Sequence, residues 1–433
     1  MAQTWLAPTA LAVLMTAVAP FSGGALAAGF QLREQSSEGL GNAYAGTAAK
    51  AYNLSTIWYN PAGMTRLEGN QTAGSASVIL PNVEFSGQNT GAGLSGTTSG
   101  GNGGNAAEPA ALGATYALWD YRRDLKFGVA VTVPFGLRTN YGDNWVGRYH
   151  ALETGVTNIN VSPSFGYRVS DALSVGGGVQ ISYFKAKLSN AINFAGMGVP
   201  GATDGRFKGK ADDVGLGGDL GLLYEFSPTT RVGLNYRSKI KHTLSGDATF
   251  ENVPAFLANS PMFANDTLSA KLVTPDYATF GVYHELTPRW AVMGDIQWTN
   301  WSTFRQLRLR YGNGRPDSVV DESWKDTWYV ALGAAYTMDE RSRFHAGVAY
   351  DMTTTDDAHR NARLPDQARV WLAGGYTYDL GKGNQVNVGY AHLFASGGSS
   401  VTEVGSAASA SGTLTGSYKS HVDILSASVV LHF

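Results

Sequence analysis

The chain closes on Leu425-Ser426-Ala427-Ser428-Val429-Val430-Leu431-His432-Phe433, and this stretch decides the fold. Counting back from Phe433, Leu431, Val429, Ala427 and Leu425 share one face. His432, Ser428 and Ser426 take the other, with Val430 and Ile424 as exceptions. Successive side chains of a strand point to opposite faces, so this period of two marks a β-strand that is apolar on one side and polar on the other.

The same alternation recurs upstream. Leu173, Val175, Val179, Ile181 and Tyr183 alternate with Ser174, Gly176, Gly178, Gln180 and Ser182. Val232, Leu234 and Tyr236 alternate with Arg231, Gly233, Asn235 and Arg237, and Trp328, Val330, Leu332, Ala334 and Tyr336 form another apolar face. Charged residues such as Asp219, Asp295, Arg231 and Arg237 therefore fall opposite the apolar face, where a barrel would have a polar lumen. Only 15% of residues are charged, against about 25% in an ordinary soluble domain. A mean hydropathy of -0.13 is nevertheless too polar for a bundle of membrane helices, and no run of 18 apolar residues follows Ala28. Strands that are apolar on one face and polar on the other reconcile the two observations. Alternation ending on a C-terminal aromatic also resembles the signal that outer-membrane barrel proteins carry for insertion.

Turn-forming stretches alternate short and long. Short ones fall near 120–124, 170–172, 227–230, 286–289, 338–342 and 380–384; long ones near 88–108, 140–155, 189–211, 250–268, 311–322, 353–366 and 396–415. Six short and seven long connections join fourteen strands, so the expected fold is all-β: a fourteen-stranded antiparallel transmembrane barrel over 71–433. Trp119, Tyr121, Tyr224, Trp290, Trp298 and Tyr378 lie near strand ends, as interfacial girdles require.

Residues 1–27 read as a secretory signal peptide, with an apolar run Ala10 to Ala19 and a small-x-small cleavage site at Ala25-Leu26-Ala27, although they contain no Lys or Arg. Residues 28–70 do not alternate; they are too polar for lipid and too long for a simple tail. A fourteen-stranded barrel has room inside for more than its own side chains, so this segment is expected to plug the lumen.

The absence of cysteine removes disulfides and thiolate metal sites, and a net charge of -2 gives no basic balance for nucleic acid. The stretch Gly101 to Ala106 fits a loose GxGxxA but lies in a Gly/Ser-rich loop, not a strand–helix turn, so no nucleotide or other cofactor is expected. The eight histidines form no HExxH pair and there is no GxSxG elbow. Neither catalytic nor metal-binding residues are assigned, and a lipase-like barrel enzyme is the distant alternative.

The start Ala28-Gly29-Phe30-Gln31-Leu32, with Ser36-Ser37, Gly39-Leu40-Gly41, Ala43-Tyr44 and Gly46, resembles the FadL family of outer-membrane transporters of long-chain fatty acids and other hydrophobic compounds. So do Asn60-Pro61-Ala62, Thr299-Asn300-Trp301-Ser302, Lys325-Asp326 and Leu364-Pro365-Asp366-Gln367. The resemblance implies a monomer set in outer-membrane lipid and lipopolysaccharide. It implies a hatch containing Asn60, Pro61 and Ala62, an outer groove, an inner site touched by Phe30, and lateral exit at a kinked third strand. That kink would lie at Pro134, Phe135 and Gly136, because proline has no N–H for the ladder and glycine permits a bend. For the groove, Phe256, Leu257, Met262 and Phe263 in one loop and Phe194, Met197 and Val199 in another are apolar groups that exposed loops seldom carry unpartnered. Lys185 and Lys187 are the head-group candidates, with Arg308 and Arg310 behind them. Asn190 and Val320 stand near positions where the family has basic groups, so aromatic hydrocarbons are the alternative ligands to fatty acids.

Overall fold

A computed structural model of the chain describes residues 29–433; the signal-peptide reading falls outside them. The wall begins with β1 (Gln71–Thr90), β2 (Ala110–Arg122), β3 (Leu125–Thr132), β4 (Gly136–Asn140), β5 (Glu153–Arg168), β6 (Leu173–Ile192) and β7 (Gly205–Ser227). It continues through β8 (Thr230–Arg237), β9 (Ile240–Glu251), β10 (Asp266–Thr274), β11 (Tyr277–Glu285), β12 (Trp290–Thr299) and β13 (Gln306–Tyr311). It ends with β14 (Ser318–Asp321), β15 (Thr327–Thr337), β16 (Ser342–Asp351), β17 (Ala368–Gly381), β18 (Asn384–Ser396), β19 (Ser400–Val404) and β20 (Thr413–His432). Five crossing strands are each split in two by a bend (β3/β4, β8/β9, β10/β11, β12/β13, β14/β15) and β19 belongs to the last outer loop, which leaves fourteen. Neighbours are antiparallel, and β1 pairs with β20 from Gln71↔His432 to Thr90↔Thr413. Closure pairs the strand edges, which hydrocarbon demands, apart from one break in the third crossing strand.

Burial is inverted relative to a soluble protein. Leu216, Leu220, Leu332 and Leu425 are 56–69% exposed on the outer face, whereas Arg231, Asn235, Asp295 and Gln180 are buried within. The two exceptions to alternation in the C-terminal strand have a reason: Ile424 and Val430 face inward and pack on Leu40 and on Leu54 and Ile57 of the N-terminal segment.

That segment fills the lumen. It carries α1 (Ser37–Gly41), α2 (Thr56–Tyr59) and a 3-10 turn at Pro61–Arg66, and it touches β3, β5, β6, β7, β16, β17, β18 and β20. Wall glycines make room for it: a Cβ on Gly233 would lie 1.8 Å from the Ala48 carbonyl oxygen, and one on Gly347 would lie 2.2 Å from Asn42. Asn60 caps the 3-10 turn through its side-chain oxygen, and its amide donates to the carbonyls of Ala48 at 2.6 Å and of Leu222, in the wall, at 3.0 Å. Arg231 donates to the carbonyls of Ala49 and Lys50, and Arg237 to that of Trp58. Inward charges thus satisfy plug carbonyls, of Ala49 and Lys50 outside any helix and of Trp58 in a helix of one turn.

Candidate functional site

The third crossing strand breaks where proline interrupts it. β3 pairs with β5 as far as Thr132↔Asn160 and β4 resumes at Gly136↔Thr157, so three residues oppose two and the chain bulges at Val133–Phe135. On its other side β2 follows β3 only as far as Thr115↔Val131, leaving the strand above that point without a ladder partner except an isolated bridge at Ala107↔Thr139. The plug supplies what is missing. Leu32 N–H donates to Pro134 O at 2.8 Å, and Gly136 N–H donates to Phe30 O at 2.9 Å. Phe135 turns into the lumen and is buried.

Phe30 is the centre of an aromatic cluster. Its ring lies 4.9 Å from that of Trp301, 5.6 Å from Phe135, 5.8 Å from Trp324 and 6.2 Å from Phe304. The preceding Gly29 has a φ of +63° and space for no side chain, since a Cβ would sit 2.9 Å from both Trp301 and Trp324. Asp366 holds the surrounding loop by accepting from Thr353 Oγ1 at 2.7 Å and Thr354 N–H at 3.0 Å. The Leu364–Gln367 and Thr299–Ser302 motifs therefore meet the plug at one place.

Outward of Phe30 lies a narrow, almost wholly apolar cavity, walled by Leu137, Val156, Leu188, Leu244, Leu272 and Leu309 among others. Its polar lining comes from Thr154, Glu322 and Arg363; Lys210 borders it, but the alternation of β7 turns Gly209 and Ala211 inward and the Lys210 side chain outward. Arg363 donates to Asn190 Oδ1 at 3.1 Å and to Ser189 O at 3.3 Å. Glu322 accepts from Asn361 Nδ2 at 2.9 Å and Trp324 Nε1 at 3.1 Å.

The lysines and arginines expected at the cavity do not line it. Ala186 and Leu188 of β6 face inward, so Lys185 and Lys187 face out; Leu307 and Leu309 face inward, so Arg308 and Arg310 turn away and share Asp317 at 2.9 and 3.7 Å. In β6 the outward face of Val179, Ile181 and Tyr183 continues without a shift to Lys185 and Lys187. The cation that does reach the cavity, Arg363, comes from a loop and carries no periodic signal.

Of the expected groove residues, Phe194 is fully buried and stacks edge-on against Phe263 at 5.1 Å, while Val199 and Leu257 are partly buried beside them. Met197, Phe256 and Met262 stay exposed, at 38%, 72% and 46%. The two loops pack on each other and still present an apolar outer surface.

Comparison with known proteins agrees with this geometry. Residues 18–433 match the family model described as outer membrane protein transport protein (OMPP1/FadL/TodX). The chain is 30% identical over 416 residues to a long-chain fatty acid transport protein of Escherichia coli, covering 90% of this chain and 92% of that protein. It is 30% identical to outer membrane protein P1 of Haemophilus influenzae, over 88% of this chain and 89% of that one. A FadL homologue of Pseudomonas aeruginosa superposes with a TM-score of 0.88 at 23% identity, covering 94% of this chain and all of that one. The toluene transporter TodX of Pseudomonas putida superposes at 0.70 and 18% identity, covering 92% of this chain and 98% of that one. A closed fourteen-stranded barrel, a match over nearly the whole chain and curated relatives at this identity together make the protein a member of the OMPP1/FadL/TodX family, an outer-membrane transporter of hydrophobic compounds.

Proposed function

We propose that the protein takes up long-chain fatty acids passively, with the acyl chain in the cavity above Phe30 and the carboxylate at Arg363. The observation that carries this reading is an apolar slot with one guanidinium at its rim. Ligand would first settle on the exposed surface of Met197, Phe256 and Met262. It would then enter the cavity and leave sideways at the break between β3 and β4 once Phe30–Leu32 withdraw. Burying a methylene contributes about 0.8 kcal/mol, so some fifteen would gain roughly 12 kcal/mol gross. Movement of the plug is what weakens that hold and releases the ligand.

Aromatic hydrocarbons are the second reading, favoured by a lining that is apolar apart from the Arg363–Glu322 rim and by the bonds Arg363 already makes. Uptake of labelled oleate and labelled toluene by cells lacking their own fatty-acid transporter separates the two. Oleate uptake that falls on Arg363→Gln supports the first. Toluene uptake without oleate, indifferent to Arg363, replaces it with the second.

A further inference from the structure

The outer face of β7 is apolar from Phe226 through Tyr224, Leu222, Leu220 and Leu216 to Val214, all exposed. With a rise of about 3.3 Å per residue and a tilt of roughly 40°, that stretch is about 30 Å tall, the height of the hydrocarbon layer. The next outward-facing residues toward the long loops are Asp212, Lys210, Lys208 and Arg206. On β6, Tyr183 pairs with Val214, and Lys185 and Lys187 follow it. These cations therefore stand where the hydrocarbon of the outer leaflet ends and lipid head groups begin.

Their register is unusual. Lys187 of β6 lies directly opposite Lys210 of β7, a like-charge pair of the kind that destabilises a sheet when nothing sits between. On its other side Lys187 meets Gly155 of β5, which offers no side chain, and beyond Gly155 the same row reaches Arg138 of β4, paired with Glu108 at 2.7 Å. Asp212 lies across from Lys185, and Asp247 of β9 across from Lys210, yet neither Lys187 nor Lys210 has an ion pair within 4.0 Å among the described residues. One row further out, Asn140, Glu153, Ser189, Arg206 and Lys208 line a polar recess in the outer surface; there Arg206 is held by Asp143, and Lys208 by Glu251 at 2.7 Å.

We propose that Lys187 and Lys210 form a binding site for a phosphate group of lipopolysaccharide in the outer leaflet. The anion bridges the two ammonium groups, and the acyl chains below it run along Ile181, Val179 and Leu216. A lipid-borne phosphate fits better than a free one, because the cations begin where the apolar band stops. An anchored lipid there would stand beside β4, one strand from the break in the wall, and would screen the break from the cell exterior.

The test uses the full chain in nanodiscs of neutral lipid, titrated with bisphosphorylated lipid A, dephosphorylated lipid A and inorganic phosphate, and read by native mass spectrometry. The double variant Lys187→Glu/Lys210→Glu should bind bisphosphorylated lipid A more than about tenfold more weakly, since each basic group near anionic lipid contributes about fivefold. Gly155→Glu, whose Cβ would meet nothing nearer than 3.8 Å, should also weaken it while leaving both lysines in place. Lys382→Glu, in the short turn at the opposite end, should change nothing. Heat-modifiable migration checks that each barrel is closed. Unchanged lipid A binding by the double variant, equal binding of dephosphorylated lipid A by the native protein, or saturation by inorganic phosphate at the same concentration overturns the proposal.

Discussion

The side chain of Gln35 behaves as a strand partner for Val133: its Nε2 donates to Val133 O at 2.8 Å, and its Oε1 accepts from Val133 N–H at 3.0 Å. One amide from the plug thus completes both halves of the ladder pair that the broken third strand has lost. Gln35→Ala leaves a buried donor and acceptor unpaired, at about 1–3 kcal/mol for each group. The expected outcome is hydrogen exchange at Val133 faster by a factor of ten or more, with the barrel still closed. An unchanged rate would show that the plug does not hold the break shut.

Phe135, buried against Phe30, stands at the proposed lateral exit. Phe135→Glu should insert and fold but lose uptake, because it would put a charge on the proposed path of the ligand. Normal uptake of labelled oleate and toluene by this variant would falsify the sideways route.

Arg363 carries the head-group reading. A hydrogen bond to a charged group is worth about 1.5–3 kcal/mol, so Arg363→Gln should weaken oleate binding roughly 10- to 100-fold and leave toluene binding alone. Tryptophan fluorescence reads both, since Trp301 and Trp324 sit against Phe30 beside the cavity. Equal losses for the two ligands would mean that the substitution had only disturbed the loop.

Gly347 tests how the plug is seated. Gly347→Val would put side-chain atoms into the backbone of Asn42, so the barrel should close around a displaced plug. Single-channel conductance should rise above that of the native protein; a native-like trace would mean that the segment seats elsewhere.

The crossing strands and the alternation of short and long connections were legible in the sequence because each is a local pattern: one face must meet lipid, so apolar residues return every second position. The break at Pro134 was only half legible: proline lacks an N–H for the ladder, but Pro81 and Pro163 lie within strands that continue through them, and the resemblance to the family was needed to place the kink. Assigning faces at the outer ends of strands was harder, because the apolar signal stops with the hydrocarbon. Even so, the period that sets Val179, Ile181 and Tyr183 outward runs unbroken to Lys185 and Lys187, so their outward direction was already in the alternation, and the register against β7 bears it out. Arg363 reaches the cavity from a loop, Gln35 finds Val133 across 98 positions of chain, and Ile424 and Val430 break the alternation because plug residues wait inside. The chain's period of two determined that there would be a barrel. Which side chains meet inside it was decided by closure and by the packing of the plug, because those contacts join residues whose separation along the chain carries no repeating signal.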